Sequence, residues 1–304
     1  MSMKTKGILL AAGGASLWGG SGAAAQQLFM THAVTTEWLV AVRLLGAGLL
    51  LLIWGLIKSS KQINEIIHDR KNMAMVLAFA IFGVMNSQLS YFFAIKYSNA
   101  PTATVLQYLQ PVLIVLWMAF GQKIRPRRVD GISIAVALMG TFLLVTGGRL
   151  DTLTLTPIAL AWGLWSAVAA TLYTLLPSGL LKKYDAMVVC GLAMFVSGII
   201  MLPWFLTMEQ PHLSLFNIVL VIYIVVFGTM FAYTLFLQSI RYIAPSVTGI
   251  LSAFEPLIAT ILAVTLLGTK LSTAAIIGSL LIILTTVIQA VPFNVIWRRF
   301  KRAK

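Results

Sequence analysis

Residues 95–111, IKYSNAPTATVLQYLQP, and residues 240–256, IRYIAPSVTGILSAFEP, run in step without a gap. Ile95-Lys96-Tyr97 stands over Ile240-Arg241-Tyr242, Leu106 over Leu251, and Gln110-Pro111 over Glu255-Pro256. Upstream, Leu17-Trp18 with the small residues after it answers to Leu164-Trp165 and its neighbours. Downstream, Gly121, Lys123 and Gly131 answer to Gly268, Lys270 and Gly278. The offset stays between 145 and 147 residues, and matches in the same order along the chain point to an internal duplication.

The duplicated unit belongs in a membrane. Sixty per cent of the 304 residues are apolar and ten per cent charged, with a mean hydropathy of +0.95, which leaves too little polar surface for a soluble domain. A spanning helix needs about 20 mainly apolar residues, since helices rise about 1.5 Å per residue across a hydrocarbon core of roughly 30 Å. Ten segments qualify: 7–28, 36–57, 73–95, 100–120, 129–147, 156–176, 186–208, 214–238, 245–268 and 272–293. Their apolar runs are continuous and do not alternate with period two, which excludes a closed barrel. The expected fold is all-α, with ten transmembrane helices in two five-helix repeats, 7–147 and 156–293, followed by a basic tail, 294–304. Lys4 and Lys6 before Gly7–Leu28, with Ala23–Ala25, imitate a secretory signal. That run exceeds the roughly 7–15 residues of a signal core and further spans follow it, so it reads as the first transmembrane helix.

The net charge of +14 does not point to nucleic acid, because Lys and Arg sit in short breaks between apolar runs. With the N-terminus inside, the inner segments hold 18 basic residues and the outer loops only Lys96, Arg149 and Lys270. The positive-inside rule then puts both termini in the cytoplasm of a multi-pass cell-membrane protein. Five spans per repeat is an odd number, so the two copies enter the membrane in opposite senses. The charges agree: loops 58–72 and 121–128 carry four basic residues each, while their counterparts 209–213 and 269–271 carry none and one. Inverted repeats suit carriers, because exchanging the conformations of the two halves moves a central cavity's opening from one side to the other.

The duplicated five-helix unit, a Leu-Trp in the first helix of each and a mid-helix proline in the fourth of each together resemble the EamA-type branch of the drug/metabolite transporter superfamily. The resemblance covers nearly the whole chain. It implies a secondary transporter, and an exporter sooner than an importer, because that family is rich in exporters of amino acids and related metabolites. Members often end the fourth helix of a unit with Gly-Glu. Here the pairs are Gly121-Gln122 and Gly268-Thr269, which bears on any salt bridge at those ends and not on the fold.

Charged residues deep in the spans are few. Glu255 falls near the bilayer midplane, where an ionised carboxylate costs roughly 2.5–3.5 kcal/mol or more unless hydrated, paired or protonated. It reads as a proton-binding or substrate-binding group, on a helix that the resemblance places beside the central cavity. A neutral carboxyl bonded to helix backbone is the plainer reading. Arg43 can take an anionic group of the substrate, pair with Glu255 or backbone carbonyls, or snorkel toward the headgroups. Pro111 and Pro256 lack an N–H and so free the carbonyls of Gln107 and Ser252, marking static kinks or moving hinges.

Trp38, Trp54, Trp117, Trp204 and Trp297 fall near span ends, as interfacial anchors do. Trp18, Trp162 and Trp165 lie inside, where lining an aqueous cavity would satisfy their indole N–H groups; helix packing is the competing reading. Asn86, Gln88, Tyr91, Gln107 and Gln110 add a polar cluster in spans three and four. Tyr173, Tyr233 and Gln238 add less in the second half, and Ser252 joins the set through its freed carbonyl. The ladder Ala11, Ala15, Gly19, Ala23 lets another helix approach closely.

Rival classes find less support. Gly19-Gly20-Ser21-Gly22 resembles the motif of rhomboid-type serine proteases, but that chemistry needs a base beside the serine. His32, His68 and His212 all fall outside the spans. No metal-ligand spacing occurs and no cofactor is expected. The lone Cys190 permits no intramolecular disulfide and reads as a small buried side chain. A passive channel would not need two inverted halves. The expected partners are a small-molecule substrate, the lipid bilayer and protons.

Overall fold

The computed structural model describes residues 2–123, 128–149, 154–243 and 245–290; the basic tail 294–304, Trp297 and loop residues 124–127 lie outside them. Among the described residues there is no strand. Nine helices among those residues are long and apolar enough to cross a bilayer: α1 (Met3–Met30), α2 (Thr36–His68), α3 (Arg70–Tyr97), α4 (Ala100–Phe120), α5 (Arg128–Thr146), α6 (Pro157–Leu181), α7 (Ala186–Thr207), α8 (Leu215–Ser239) and α9 (Val247–Leu267). A tenth, shorter apolar helix is α10 (Thr273–Ala290).

Short polar connections start these helices. The hydroxyl of Thr35 accepts from the Trp38 N–H at 3.2 Å, the Asn99 side chain from Thr102 N–H at 2.9 Å, and the Ser214 hydroxyl from Asn217 N–H at 3.3 Å. Each satisfies a backbone donor that the first turn leaves unpaired. One boundary differs from the sequence reading. α2 runs on to His68 through a break at Ser59, over residues expected to form a loop. There the apolar Ile63 and Ile66 are buried on one face while Lys58 and Lys61 stay exposed, so an amphipathic turn packs against the bundle end.

The two repeats interlock. α2 packs on α7 and α5 on α10, while α1 lies against α8 and α9 just as α6 lies against α3 and α4. Close backbone approach makes these crossings possible. A Cβ on Gly140 would stand 2.7 Å from the Gly278 carbonyl oxygen, and one on Gly19 would stand 2.9 Å from the Ala259 backbone nitrogen. Ala11, Ala15, Gly19 and Ala23 are all buried on that same α1 surface.

Irregular backbone recurs at matching places in the repeats. α3 carries a π-helical segment at Phe79–Met85 and α8 one at Tyr223–Phe231. α4 is interrupted at Tyr108–Leu109, just before Gln110-Pro111, and α9 at Ser252–Ala253, just before Phe254-Glu255-Pro256. Non-regular backbone at membrane depth is tolerated only where protein or water satisfies it.

Candidate functional site

The broken helices border a central cavity of about 140 Å³. α1 contributes Trp18 and Ser21, α2 Arg43, α3 Ser87, Gln88 and Tyr91, and α4 Gln107 and Gln110. The second repeat contributes Tyr173 from α6, Tyr233 from α8 and Glu255 from α9. A second space of about 240 Å³ adjoins it, lined by Tyr108, Pro111, Phe236, Ser252 and Thr286; Trp18, Gln107, Gln110 and Glu255 line both. Of the residues singled out in the sequence, Trp18, Arg43, Gln88, Tyr91, Gln107, Gln110, Pro111, Ser252 and Glu255 thus converge on one place.

Three do not. Trp165 is 48% exposed on the outside of the bundle, where its indole N–H donates to Asn86 Oδ1 at 3.0 Å. The indole therefore finds its acceptor on the neighbouring helix and needs no cavity water. Trp162 stacks on Phe93, with ring centroids 4.6 Å apart. Pro256 is buried in α9 behind Glu255 and lines neither space. Gln238 lies in a separate pocket with Asp185 and Arg241, which approach each other at 3.8 Å.

Arg43 is buried to within 4% and does not snorkel. Its Nε donates to Thr229 Oγ1 at 2.7 Å and its Nη2 to the Gly228 carbonyl at 3.2 Å, while its guanidinium lies 5.0 Å from the Phe92 ring centre. The π segment of α8 supplies both acceptors. The Thr229 hydroxyl turns its own proton back to the Ile224 carbonyl five residues earlier, at 2.8 Å, and so presents a lone pair to Arg43. Two of five guanidinium N–H donors are engaged in this way.

Glu255 is held more loosely. The Tyr108 hydroxyl lies 2.6 Å from the Ser252 carbonyl and 3.4 Å from Glu255 Oε2; its one proton serves the shorter contact. The carbonyl that Pro256 frees is therefore satisfied by the opposite broken helix, and the carboxylate remains open to the cavity. Arg43 and Glu255 line the same cavity without an ion pair within 4.0 Å.

Aromatic rings form the remaining wall. Trp18 meets Tyr233 edge to face at 5.0 Å and Phe236 at 4.8 Å, and the Tyr91 hydroxyl lies 2.8 Å from Thr104 Oγ1. Sequence reasoning missed Ser21, Ser87, Tyr108, Phe236 and Thr286. Ser87 beside Gln88 was within reach of a polarity count, and Ser21 stood out only as part of the protease-like motif; Tyr108, Phe236 and Thr286 looked like ordinary members of apolar helices.

The two ends of the bundle are unlike. At the end away from the N-terminus, every α1 residue from Gly19 to Gln26 and every α4 residue from Ala100 to Leu106 is buried. There the Gln26 amide joins the repeats: Nε2 donates to Thr269 Oγ1 at 2.8 Å, and Oε1 accepts from the Ala100 N–H at 2.8 Å. Thr269 stands where the resembling family often has Glu, and the contact it makes is uncharged. Toward the N-terminal end, Met3–Lys6 of α1 and Trp117, Met118 and Phe120 of α4 are exposed.

Residues 5–146 and 157–290 both match the EamA-like transporter family. The chain belongs to that family. It is 37% identical over 290 residues to the uncharacterized inner membrane transporter YicL of Salmonella typhimurium, covering 95% of this chain and 96% of the relative. It is 28% identical over 291 residues to the uncharacterized transporter YwfM of Bacillus subtilis, covering 91% and 92%. A crystal structure at 20% identity superposes with a TM-score of 0.60 over 98% of this chain and 97% of that one, which shows a shared fold. The EamA-like chain is a multi-pass membrane transporter, and these kinships indicate a transporter rather than an enzyme.

Proposed function

We propose that this EamA-like protein exports zwitterionic metabolites, amino acids or close relatives, across the cell membrane by alternating access. The observation that carries this reading is the unpaired coexistence of Arg43 and Glu255 on one aromatic-walled cavity. Bringing two opposite charges into a membrane is costly, and pairing them directly would lower the cost. Here each is kept apart from the other, which suits a solute with a carboxylate at one end and an ammonium at the other. Trp18, Tyr91, Tyr173 and Tyr233 offer flat apolar surface to what lies between. The positive-inside count supports a cytoplasmic N-terminal end, so the Gln26 contact closes the outer side. Export is the direction that the family resemblance implies. Glu255, lacking a short hydrogen bond, is the group proposed to carry a coupled proton.

Purified protein in proteoliposomes loaded with single amino acids, their decarboxylated amines and simple sugars tests the reading by counterflow. Saturable exchange of amino acids over the matching amines and sugars is expected; exchange of sugars or amines alone would overturn it. Reporter fusions after residue 65 and at Leu213 are expected to report cytoplasmic and external positions. A cytoplasmic Leu213 would remove the assigned orientation.

A further inference from the structure

Ser21 sits in a glycine-rich run that first suggested a protease nucleophile, yet no histidine serves it. His68 bonds the Asn64 carbonyl, and His32 and His212 line a loop pocket at the far end from the N-terminus. The Ser21 hydroxyl is nevertheless unusual. The side chain is 2% exposed and its Oγ has no hydrogen-bond partner among the described residues. Buried hydroxyls elsewhere in the spans return their protons to carbonyls of their own helix, as Ser90, Ser166, Ser197 and Thr171 do at 2.7–2.9 Å. A buried hydroxyl without a partner costs about 1–3 kcal/mol. Thr36, Ser133 and Thr286 share that condition, but of the four only Ser21 lines the cavity that holds Arg43.

Its position is tied to Arg43 by one residue. A Cβ added to Gly228 would meet the Ser21 Oγ at 2.7 Å, so α1 and the π segment of α8 touch here backbone to side chain. The carbonyl of that same Gly228 accepts from Arg43 Nη2. The missing side chain at residue 228 lets a free hydroxyl donor and a buried guanidinium with unspent donors approach the same short stretch of backbone.

We propose that Ser21 and Arg43 together form the anion-binding end of the cavity, with the Ser21 hydroxyl donating to the carboxylate that Arg43 attracts. This rests on the zwitterion reading for its substrate class, while the anion site itself can be tested without it. Ser21 acts as a substrate-binding group, and no covalent step is involved.

The direct test places a thiol at residue 21 by Ser21→Cys in a Cys190→Ala background. Modification by a sulfonatoethyl and by a trimethylammonioethyl methanethiosulfonate is then followed by intact-protein mass spectrometry. The anionic reagent is expected to react about tenfold faster than the cationic one, equivalent to about 1.4 kcal/mol. Adding Arg43→Gln is expected to bring the ratio close to one. Equal rates with Arg43 in place, or no modification by either reagent, would overturn the site. Ser21→Ala needs no second substitution: it is expected to raise the half-saturation concentration for amino-acid counterflow several-fold with an unchanged maximal rate. Amino-acid exchange indifferent to Ser21→Ala would sink the assignment of Ser21 and leave the zwitterion reading standing. Anion-selective labelling that depends on Arg43, in a protein that exchanges no amino acid, would keep the anion site and sink the zwitterion reading.

Discussion

Gln110 and Glu255 hold the same place in the two repeats, each one residue before the proline of a broken helix, and they are held differently. Gln110 Nε2 donates to the Ala170 carbonyl at 3.0 Å and to the Thr174 hydroxyl, both on α6. Among the described residues the Glu255 carboxylate has only the long contact to Tyr108. A second contrast runs between the two ends. On the offset that aligns the repeats, the counterparts of Gln26, Ala100 and Thr269 are Tyr173, Pro245 and Gln122. Tyr173 lines the cavity, Pro245 has no N–H to give, and Gln122 is exposed. The bridge that closes one end of the bundle cannot be rebuilt from equivalent residues at the other. Duplication supplied the frame, and divergence at single positions supplied both the charges and the asymmetry between the ends.

The largest effect should come from erasing the first contrast. Glu255→Gln gives α9 the amide that α4 already accepts at the matching site, so insertion and abundance are expected to be normal. Exchange is expected to persist, and accumulation driven by a pH gradient to disappear. Gradient-driven accumulation equal to the parent protein would show that Glu255 does not handle the proton; parent protein indifferent to the gradient would remove coupling altogether.

Opening the end contrast is the next test. Gln26→Ala deletes both bonds of the bridge, and the Ala100 N–H is left buried without its acceptor at a cost of about 1–3 kcal/mol. The closed arrangement should lose roughly tenfold in population. A cysteine at Gln88 would report this as faster labelling by an impermeant thiol reagent applied from the Gln26 side. Unchanged labelling would mean that the glycine contacts of α1 with α9, and not Gln26, keep that end shut.

The smallest effect separates the two repeat-matched tryptophans. Trp18→Ala should lower transport several-fold at unchanged abundance, because it strips the ring that meets Tyr233 and Phe236. Trp165→Ala, on the bundle surface, should leave transport within about twofold. Equal losses from the two substitutions would show that the cavity wall is not what Trp18 contributes.

Part of this contrast was already legible in the chain. Trp18 and Trp165 look alike in sequence, as do Asn86 and Gln88, because hydropathy fixes how deep a residue lies and not which way it points. A two-residue step along α3 turns the side chain by about 200° at 3.6 residues per turn, so Gln88 faces the cavity while Asn86 reaches outward to Trp165. The amphipathic end of α2 was missed for a related reason, since its short apolar period disappears beside the charges of residues 58–72.

The sequence alone determined the membrane class, the ten apolar segments, the duplicated inverted architecture and the family, because these follow from quantities that add along the chain: apolar length, offset and loop charge. It also marked Arg43 and Glu255, since a charge at membrane depth is conspicuous wherever it points. Only the tertiary structure decided that these two share a cavity unpaired, that the π segment of α8 supplies the acceptors for Arg43, and that Ser21 is left without a partner. Those facts depend on which faces of helices 70 to 240 residues apart in the chain meet one another. The rotation of each helix about its axis is set by close contacts such as Gly19 on Ala259 and Gly228 on Ser21, and these exist only once the bundle is assembled.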